Sequence, residues 1–346
     1  MYGIVTYHDG INFGAYLQVY ALQKTLNSLG FDNKIINYKS KQHWWKEYCC
    51  ILNTKRPSLL VANLKKIVKF KKSQRLLDQT EFSFSTEAFN PQHFDAIIFG
   101  SDEIWNYRNP LIGYDSAYFG GGFTAERLIS YAASCGNLDT TTGFTSEIVG
   151  LLSRFNSISV RDENSQAIVC KAIGREPEIV LDPTLLHDFT GLEIEAPAND
   201  FIMVYTTGFS SAHEAAIRAY ADAKGKRLIS IGYRNSFCDQ SVAGIGPFEF
   251  LGYLKKADEV ITSMFHGTLF SIKYGKPFCI ITDAYRTNKL ATILGMLGLK
   301  GRVVAVDRSI ADVLAAPIDY APVRKTLEQE KERSLEFIRN ALTSGC

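Results

Sequence analysis

The stretch Asp258-Glu259-Val260-Ile261-Thr262-Ser263-Met264-Phe265-His266-Gly267-Thr268-Leu269-Phe270-Ser271-Ile272-Lys273-Tyr274-Gly275-Lys276-Pro277-Phe278 decides the fold of this 346-residue chain. Its β-branched run ending in Thr262 reads as a short strand. A His-Gly pair follows, then an amphipathic helix that Gly275 stops, and Pro277 opens another strand. Strand, helix and strand in so short a span make a βαβ unit, which belongs to a parallel sheet. In open α/β sheets, ligands bind at the carboxyl ends of strands. The helix start also offers N–H groups and the positive end of a dipole, which suit phosphate or carboxylate. Because His266 sits there, the stretch is at once a candidate anion cradle and a candidate acid/base site.

The same alternation extends outward in both directions. Residues 2–7, 34–38, 94–99, 128–133, 157–160 and 178–181 read as strands, with helices over 13–29, 142–155 and 163–171. Residues 187–200, with Glu193, Glu195, Pro197 and Asp200, read as a linker. A second series follows: strand 201–207, helix 212–223, strand 227–231, a helix from Pro247, and the βαβ unit above. A charged helix over 322–343 is long enough to cross back to the first domain. The expectation is an α/β protein of two doubly wound, Rossmann-like domains facing a cleft. Residues 1–186 form the first, with a basic insertion at about 39–80; residues 201–318 form the second, and 319–346 the returning helix.

Composition, 46% hydrophobic and 21% charged, is that of a soluble globular protein, and no apolar run is long enough to span a membrane. The opening Met1-Tyr2-Gly3-Ile4-Val5-Thr6-Tyr7 reads as a strand and not as a basic, apolar leader, so a cytoplasmic location is expected. Seven cysteines without C-x-x-C spacing argue against a disulfide framework and a zinc site. Charge is uneven: between Lys39 and Arg75 eleven Lys/Arg face one acid, Glu47, a net of +10 in a chain whose total is +2. With Trp44-Trp45 in the same segment, an anionic membrane surface is a candidate partner. A solvated helical insertion whose tryptophans pack inward is the reading these residues favour over a membrane surface, and nucleic acid is not expected.

Phosphate motifs of the P-loop and dinucleotide type are absent, and no clustered ligand set suggests a metal. Four strand-end constellations remain. His8-Asp9-Gly10-Ile11-Asn12 follows the first strand, and Asn12 can bond a hydroxylated ligand. Gly100-Ser101-Asp102-Glu103-Ile104-Trp105-Asn106 joins carboxylates, an indole and an amide, a mix suited to sugar recognition. Arg161 ends a strand and offers a fork for phosphate or carboxylate, with Asp162 as an N-cap. The fourth is the His266 element. Each also has an ordinary structural reading: a loop histidine, a cap, a structural ion pair, a packing histidine.

At these residues the chain resembles the polysaccharide pyruvyl transferase family. The matching pieces are Asn12-Phe13-Gly14-Ala15-Tyr16-Leu17-Gln18, Gly100 to Asn106, and Tyr131-Ala132-Ala133-Ser134-Cys135-Gly136. Others are Ser159-Val160-Arg161-Asp162, Leu181-Asp182-Pro183-Thr184-Leu185-Leu186, and Phe265-His266-Gly267 with Phe270-Ser271. The resemblance implies a fold similar to GT-B glycosyltransferases. It also implies transfer of pyruvate from phosphoenolpyruvate onto two hydroxyls of a sugar, giving a cyclic ketal and phosphate. The acceptor would be a bacterial surface polysaccharide, such as capsule or exopolysaccharide, or its lipid-linked oligosaccharide precursor. Phosphoenolpyruvate would be a donor substrate, and no cofactor is expected.

Under that resemblance, Arg161, Ser263, Phe265, His266, Gly267 and Arg286 are expected to hold the donor, and His8, Asn12, Trp105 and Asn106 the acceptor. His266 and Asp102 are the expected proton-transfer residues. One departure matters: many members carry Arg two residues before the motif histidine, and here that residue is Met264. Rival readings are a nucleotide-sugar glycosyltransferase of GT-B architecture, with Glu249 as its ribose partner, and a non-catalytic glycan-binding protein.

Overall fold

Near-continuous apolar strands such as Ala96-Ile97-Ile98-Phe99 and Phe201-Ile202-Met203-Val204-Tyr205 are covered on both faces, as parallel sheets require. In chain order the first half runs β1 (Tyr2–Val5), α1 (Phe13–Ser28), β2 (Asn33–Ile35), α2 (Lys41–Leu52), α3 (Pro57–Gln74), β3 (Ala96–Phe99), β4 (Arg127–Ala133), α4 (Ser146–Leu152), β5 (Ser157–Val160), α5 (Glu163–Ile173), β6 (Glu178–Ile179) and α6 (Pro183–Leu186). The second half runs β7 (Phe201–Tyr205), α7 (Ser211–Lys224), β8 (Arg227–Ile231), β9 (Gln240–Val242), α8 (Pro247–Lys256), β10 (Glu259–Thr262), α9 (Phe265–Lys273), β11 (Phe278–Ile280), α10 (Ala284–Met296), α11 (Ile310–Ala315) and α12 (Tyr320–Thr343). This computed structural model describes residues 1–282, 284–305 and 308–343, with Gln42 and residues 284–288 described in backbone only.

The chain forms two compact units. Met1–Asn53, Gln74–His187 and the chain from Leu327 onward make the first, around a six-stranded sheet of order β2-β1-β3-β4-β5-β6. Thr54–Ser73 and Asp188–Thr326 make the second, around a five-stranded sheet of order β11-β10-β7-β8-β9. Every strand pair is parallel. The first core gathers Phe99, Trp105, Phe119 and Phe155; the second gathers Ile202, Val204, Ile261 and Cys279.

The basic insertion is divided between the units, where the sequence suggested one segment of the first domain. Helix α2 belongs to the first unit and all but the end of α3 to the second. The inner face of α3 explains why. Lys66 is buried there, with Nζ 3.4 Å from the Gly232 carbonyl and 5.1 Å from the centre of the Tyr233 ring. Lys69 pairs with Glu249. Gly244 allows the approach, since a Cβ there would stand 3.0 Å from the Ala62 carbonyl oxygen. Among the described residues no helix is long and apolar enough to cross a membrane.

Candidate functional site

In the second unit the chain passes from β7 to β8 and β9 on one side, then returns to β10 and β11 on the other. The carboxyl ends of β7 and β10 therefore flank the point where the strand order reverses, the usual ligand position of such sheets. Two hydroxyls meet there: Thr206 Oγ1 and Ser263 Oγ lie 2.7 Å apart, both buried. Asn235, in the turn after β8, donates to the Thr206 carbonyl at 3.2 Å and to Ser230 Oγ at 2.8 Å. Thr262 Oγ1 donates to the Tyr205 carbonyl at 2.7 Å and accepts from the Met264 amide at 3.0 Å. These bonds fix the entry to α9.

Met264 is the extended N-cap of α9 and makes no side-chain cap. Ser, Thr, Asp or Asn normally fills that place and satisfies one of the first amides, which have no acceptor within the helix. Phe265, His266 and Gly267 form the first turn, and His266 is nearly buried. Gly267 lets the turn sit directly on the strands: a Cβ there would meet Thr262 Oγ1 at 2.4 Å and Tyr205 Cδ1 at 2.7 Å. The result is a helix start with a positive dipole end, two hydroxyls and an imidazole, and no carboxylate at its cap. Such a set can bind an anion and move a proton.

In the first unit the order reverses between β1 and β3. Thr6 Oγ1 donates to the Ser101 carbonyl at 2.8 Å, and Gln18 of α1 bonds both Thr6 Oγ1 and Ser101 Oγ, at 3.1 and 2.8 Å. Gly100, at φ +116°, passes so close to β4 that a Cβ would lie 2.3 Å from the Tyr131 carbonyl oxygen. Asp102 follows at φ 79°, its carbonyl accepting from the Ser134 amide at 2.9 Å. Its carboxylate accepts from the Glu103 amide at 2.8 Å.

Behind Asp102 stands Arg161. Nη2 lies 3.4 Å from Asp102 Oδ1 and Nη1 lies 3.1 Å from Asp182 Oδ2. The side chains of Arg161 and Asp182 are each 2% exposed, that of Asp102 17%, so the carboxylate of Asp102 is the part that reaches outward. Burial works against the guanidinium charge, but Asp102 and Asp182, with Glu103 and Asp162, outweigh it and raise the Arg161 pKa. Tyr7 reaches the Glu103 carbonyl at 3.4 Å, and burial, reinforced by Asp102 and Glu103, keeps its phenol protonated. Asp162 caps α5 as expected, accepting from the Ser165 amide at 2.8 Å and from Ser134 Oγ at 2.7 Å. The buried Cys135 thiol is pushed up by its burial and is a poor nucleophile.

The structure thus brings Asp102 and Arg161 together in the first unit, and Ser263, Phe265, His266 and Gly267 in the second. Other expected residues stand differently. Trp105 is fully buried, its indole N–H donating to the Tyr118 carbonyl at 3.1 Å, so it has no face for a sugar. His8 is buried between the Thr6 carbonyl at 3.1 Å and Asn37 Oδ1 at 3.0 Å. Asn106 is buried too, donating to Glu103 and Asn137 at 3.3 and 3.2 Å. All three are packed inside the first unit and not presented to a ligand. Asn12 is exposed and caps α1 through the Ala15 amide at 3.2 Å. Arg161, expected to hold the donor, is instead engaged by Asp102 and Asp182, with its side chain 2% exposed. The Arg286 side chain lies outside the described residues. Glu249, named above as a ribose partner, accepts from the Gly246 amide at 2.7 Å and pairs with Lys69.

Asp182, which enters the sequence reading only within the matching piece Leu181 to Leu186, and Thr206 and Asn235 are not among the expected site residues. Asp182 carries a usable signal, a carboxylate just before Pro183 at a strand end; Thr206-Thr207-Gly208 after β7 carries a weaker one. Among the described residues no three His, Cys, Asp or Glu side chains are grouped to hold a metal ion.

A model of the family described as polysaccharide pyruvyl transferase matches residues 12–285. Among curated proteins none matches the chain at a significant level. Among solved structures, a UDP-GlcNAc 2-epimerase of Methanocaldococcus jannaschii in complex with UDP-GlcNAc and UDP is similar over 99% of this chain and 99% of its own, at 11% identity and a TM-score of 0.53. S. aureus MnaA, in a co-structure with UDP, is similar over 98% of this chain and 94% of its own, at 11% identity and a TM-score of 0.52. At that identity the likeness carries the fold alone, and the fold is GT-B.

Proposed function

The chain belongs to the polysaccharide pyruvyl transferase family, and we propose that it moves pyruvate from phosphoenolpyruvate onto two hydroxyls of a sugar. The acceptor is a bacterial surface polysaccharide or its lipid-linked precursor, and the products are a cyclic ketal and inorganic phosphate. The observation that supports this most is the start of α9, where the N-cap Met264 makes no side-chain cap bond and stands beside the Thr206–Ser263 hydroxyl pair and His266.

Phosphoenolpyruvate brings a phosphate and a carboxylate, and the dipole end of α9 with the hydroxyls of Thr206 and Ser263 is suited to one of them. In the first half-reaction a sugar hydroxyl adds to the central carbon while the methylene carbon takes a proton and becomes methyl. In the second, another hydroxyl of the same sugar attacks that carbon, phosphate leaves with the bonding pair, and the ring closes. Each half needs a proton taken from a hydroxyl, and the first also needs one delivered to carbon. His266 and Asp102 are the residues assigned to these transfers. Arg161 holds the Asp102 carboxylate in place; it does not bind the donor.

The similar folds whose complexes contain UDP supply one reason to weigh nucleotide-sugar transfer, but Glu249 is engaged elsewhere. Incubation with phosphoenolpyruvate and a panel of lipid-linked sugars, read by phosphate release and acceptor mass, tests the proposal. Release of a nucleoside diphosphate from a UDP-sugar, with none of phosphate from phosphoenolpyruvate, would assign the chain to the other reaction.

A further inference from the structure

Helix α3 has two unlike faces. One packs into the second unit through Lys66, which reaches Gly232 and Tyr233, and carries the buried Phe70. The other presents Val61, Leu64 and Val68, which are 51%, 47% and 68% exposed. Their spacing of i, i+3 and i+7 puts them in one row along the helix. Single exposed aliphatics are ordinary on protein surfaces. This row is not ordinary in its company: Lys65, Lys71 and Lys72 share the helix, Lys55 and Arg56 precede it, Arg75 follows it, and α3 contains no acidic residue.

We infer that the outer face of α3 docks on an anionic lipid bilayer. An apolar row between cations is the pattern of helices that lie in the headgroup plane. The aliphatic side chains would enter the acyl boundary while the lysine stems extend their ammonium groups to lipid phosphates. An acid-free helix in a chain of net charge +2 is complementary to a negative surface and not to neutral lipid. Because the inner face of α3 is built into the second unit, docking needs no unfolding of that face. The inference rests on the α3 face alone and stands independently of the reaction proposed above.

Co-sedimentation of the full chain with phosphatidylcholine vesicles containing phosphatidylglycerol tests this. Binding is expected at low salt, falling steeply as salt screens the lysines, with little binding to pure phosphatidylcholine. Removing Lys65 or Lys72 (Lys65→Gln, Lys72→Gln) should weaken binding about fivefold each. The triple variant Val61→Gln, Leu64→Gln, Val68→Gln should lose most of it while its circular dichroism and melting stay those of the parent. Absence of binding by the parent chain at low salt, or equal binding by the triple variant, would overturn the inference. So would sedimentation showing a dimer of the parent that the triple variant loses, without any vesicle binding, since the face would then belong to a second copy.

Discussion

Arg161 and Asp182 form a buried ion pair, Nη1 to Oδ2 at 3.1 Å, with both side chains 2% exposed. The other guanidinium nitrogen reaches Asp102 at 3.4 Å. Removing one member of such a pair strands the other without compensation. Asp182→Ala is expected to cost about 3–5 kcal/mol of folding stability, measured by denaturant unfolding. A loss below about 1 kcal/mol, in the range of exposed pairs, would mean that Arg161 is not held as described.

The same pair separates positioning from donor binding in kinetics. With Arg161→Lys, kcat should fall at least tenfold while the Michaelis constant for phosphoenolpyruvate changes less than threefold, because a misplaced Asp102 harms turnover and not donor affinity. Direct anion binding by Arg161 would reverse the pattern, raising the constant with kcat little changed.

Met264 offers a trade between stability and binding. Met264→Asp supplies the missing cap and should stabilise the fold by about 0.5–2 kcal/mol. The same carboxylate would occupy the amides proposed for the donor and repel its charge. Affinity for phosphoenolpyruvate is expected to fall at least tenfold, whereas improved stability with unchanged affinity would place the donor elsewhere.

Gly267 is required by close approach, its φ being that of an ordinary helix. In Gly267→Ala the new methyl would meet Thr262 Oγ1 at 2.4 Å and Tyr205 Cδ1 at 2.7 Å. Overpacking of this kind costs about 1–3 kcal/mol, and it should displace His266 with the rest of the turn. Thermal melting and turnover should therefore both drop; a variant with the parent's melting point would contradict the packing.

Asp9 gives a pH test of the first unit. Its burial favours the neutral acid, but His8, Lys39 and His43 outweigh that and hold its carboxyl below the ordinary value of 3.8. Lys39 Nζ lies 3.2 Å from Oδ2. A carboxylate lowered in the folded state contributes fully above its unfolded value and loses that contribution as pH falls through the lowered one. Between neutral pH and the onset of acid the parent should thus be more stable than Asp9→Asn, and the difference should shrink below pH 3.8. A constant difference across that range would exclude Asp9 as its source.

Alternation of strands and helices was legible in the sequence because each element carries its own period and its own stop residue, as Gly275 and Pro277 do around α9. The place of His266 at the carboxyl end of a strand followed from the same local signals, whereas the reversal of strand order beside it shows only in the sheet. What escaped depends on residues far apart in the chain. The packing of α3 turns on Lys66 and Gly232, 166 positions away, and nothing local in a lysine-rich helix names that partner. Trp105 read as a sugar platform because an indole beside carboxylates suits one, but the Tyr118 carbonyl satisfies its N–H inside the core. Arg161 read as an anion fork for a similar reason; Asp182, 21 positions on, fills it from within.

The central claim, that the start of α9 is a phosphoenolpyruvate site, is tested most directly by isothermal titration of the full chain with phosphoenolpyruvate and, separately, with UDP. The expected result is saturable binding of phosphoenolpyruvate, weakened at least tenfold in Ser263→Ala/His266→Ala, with no binding of UDP. Absence of phosphoenolpyruvate binding, or binding unchanged in the double variant, would contradict the account.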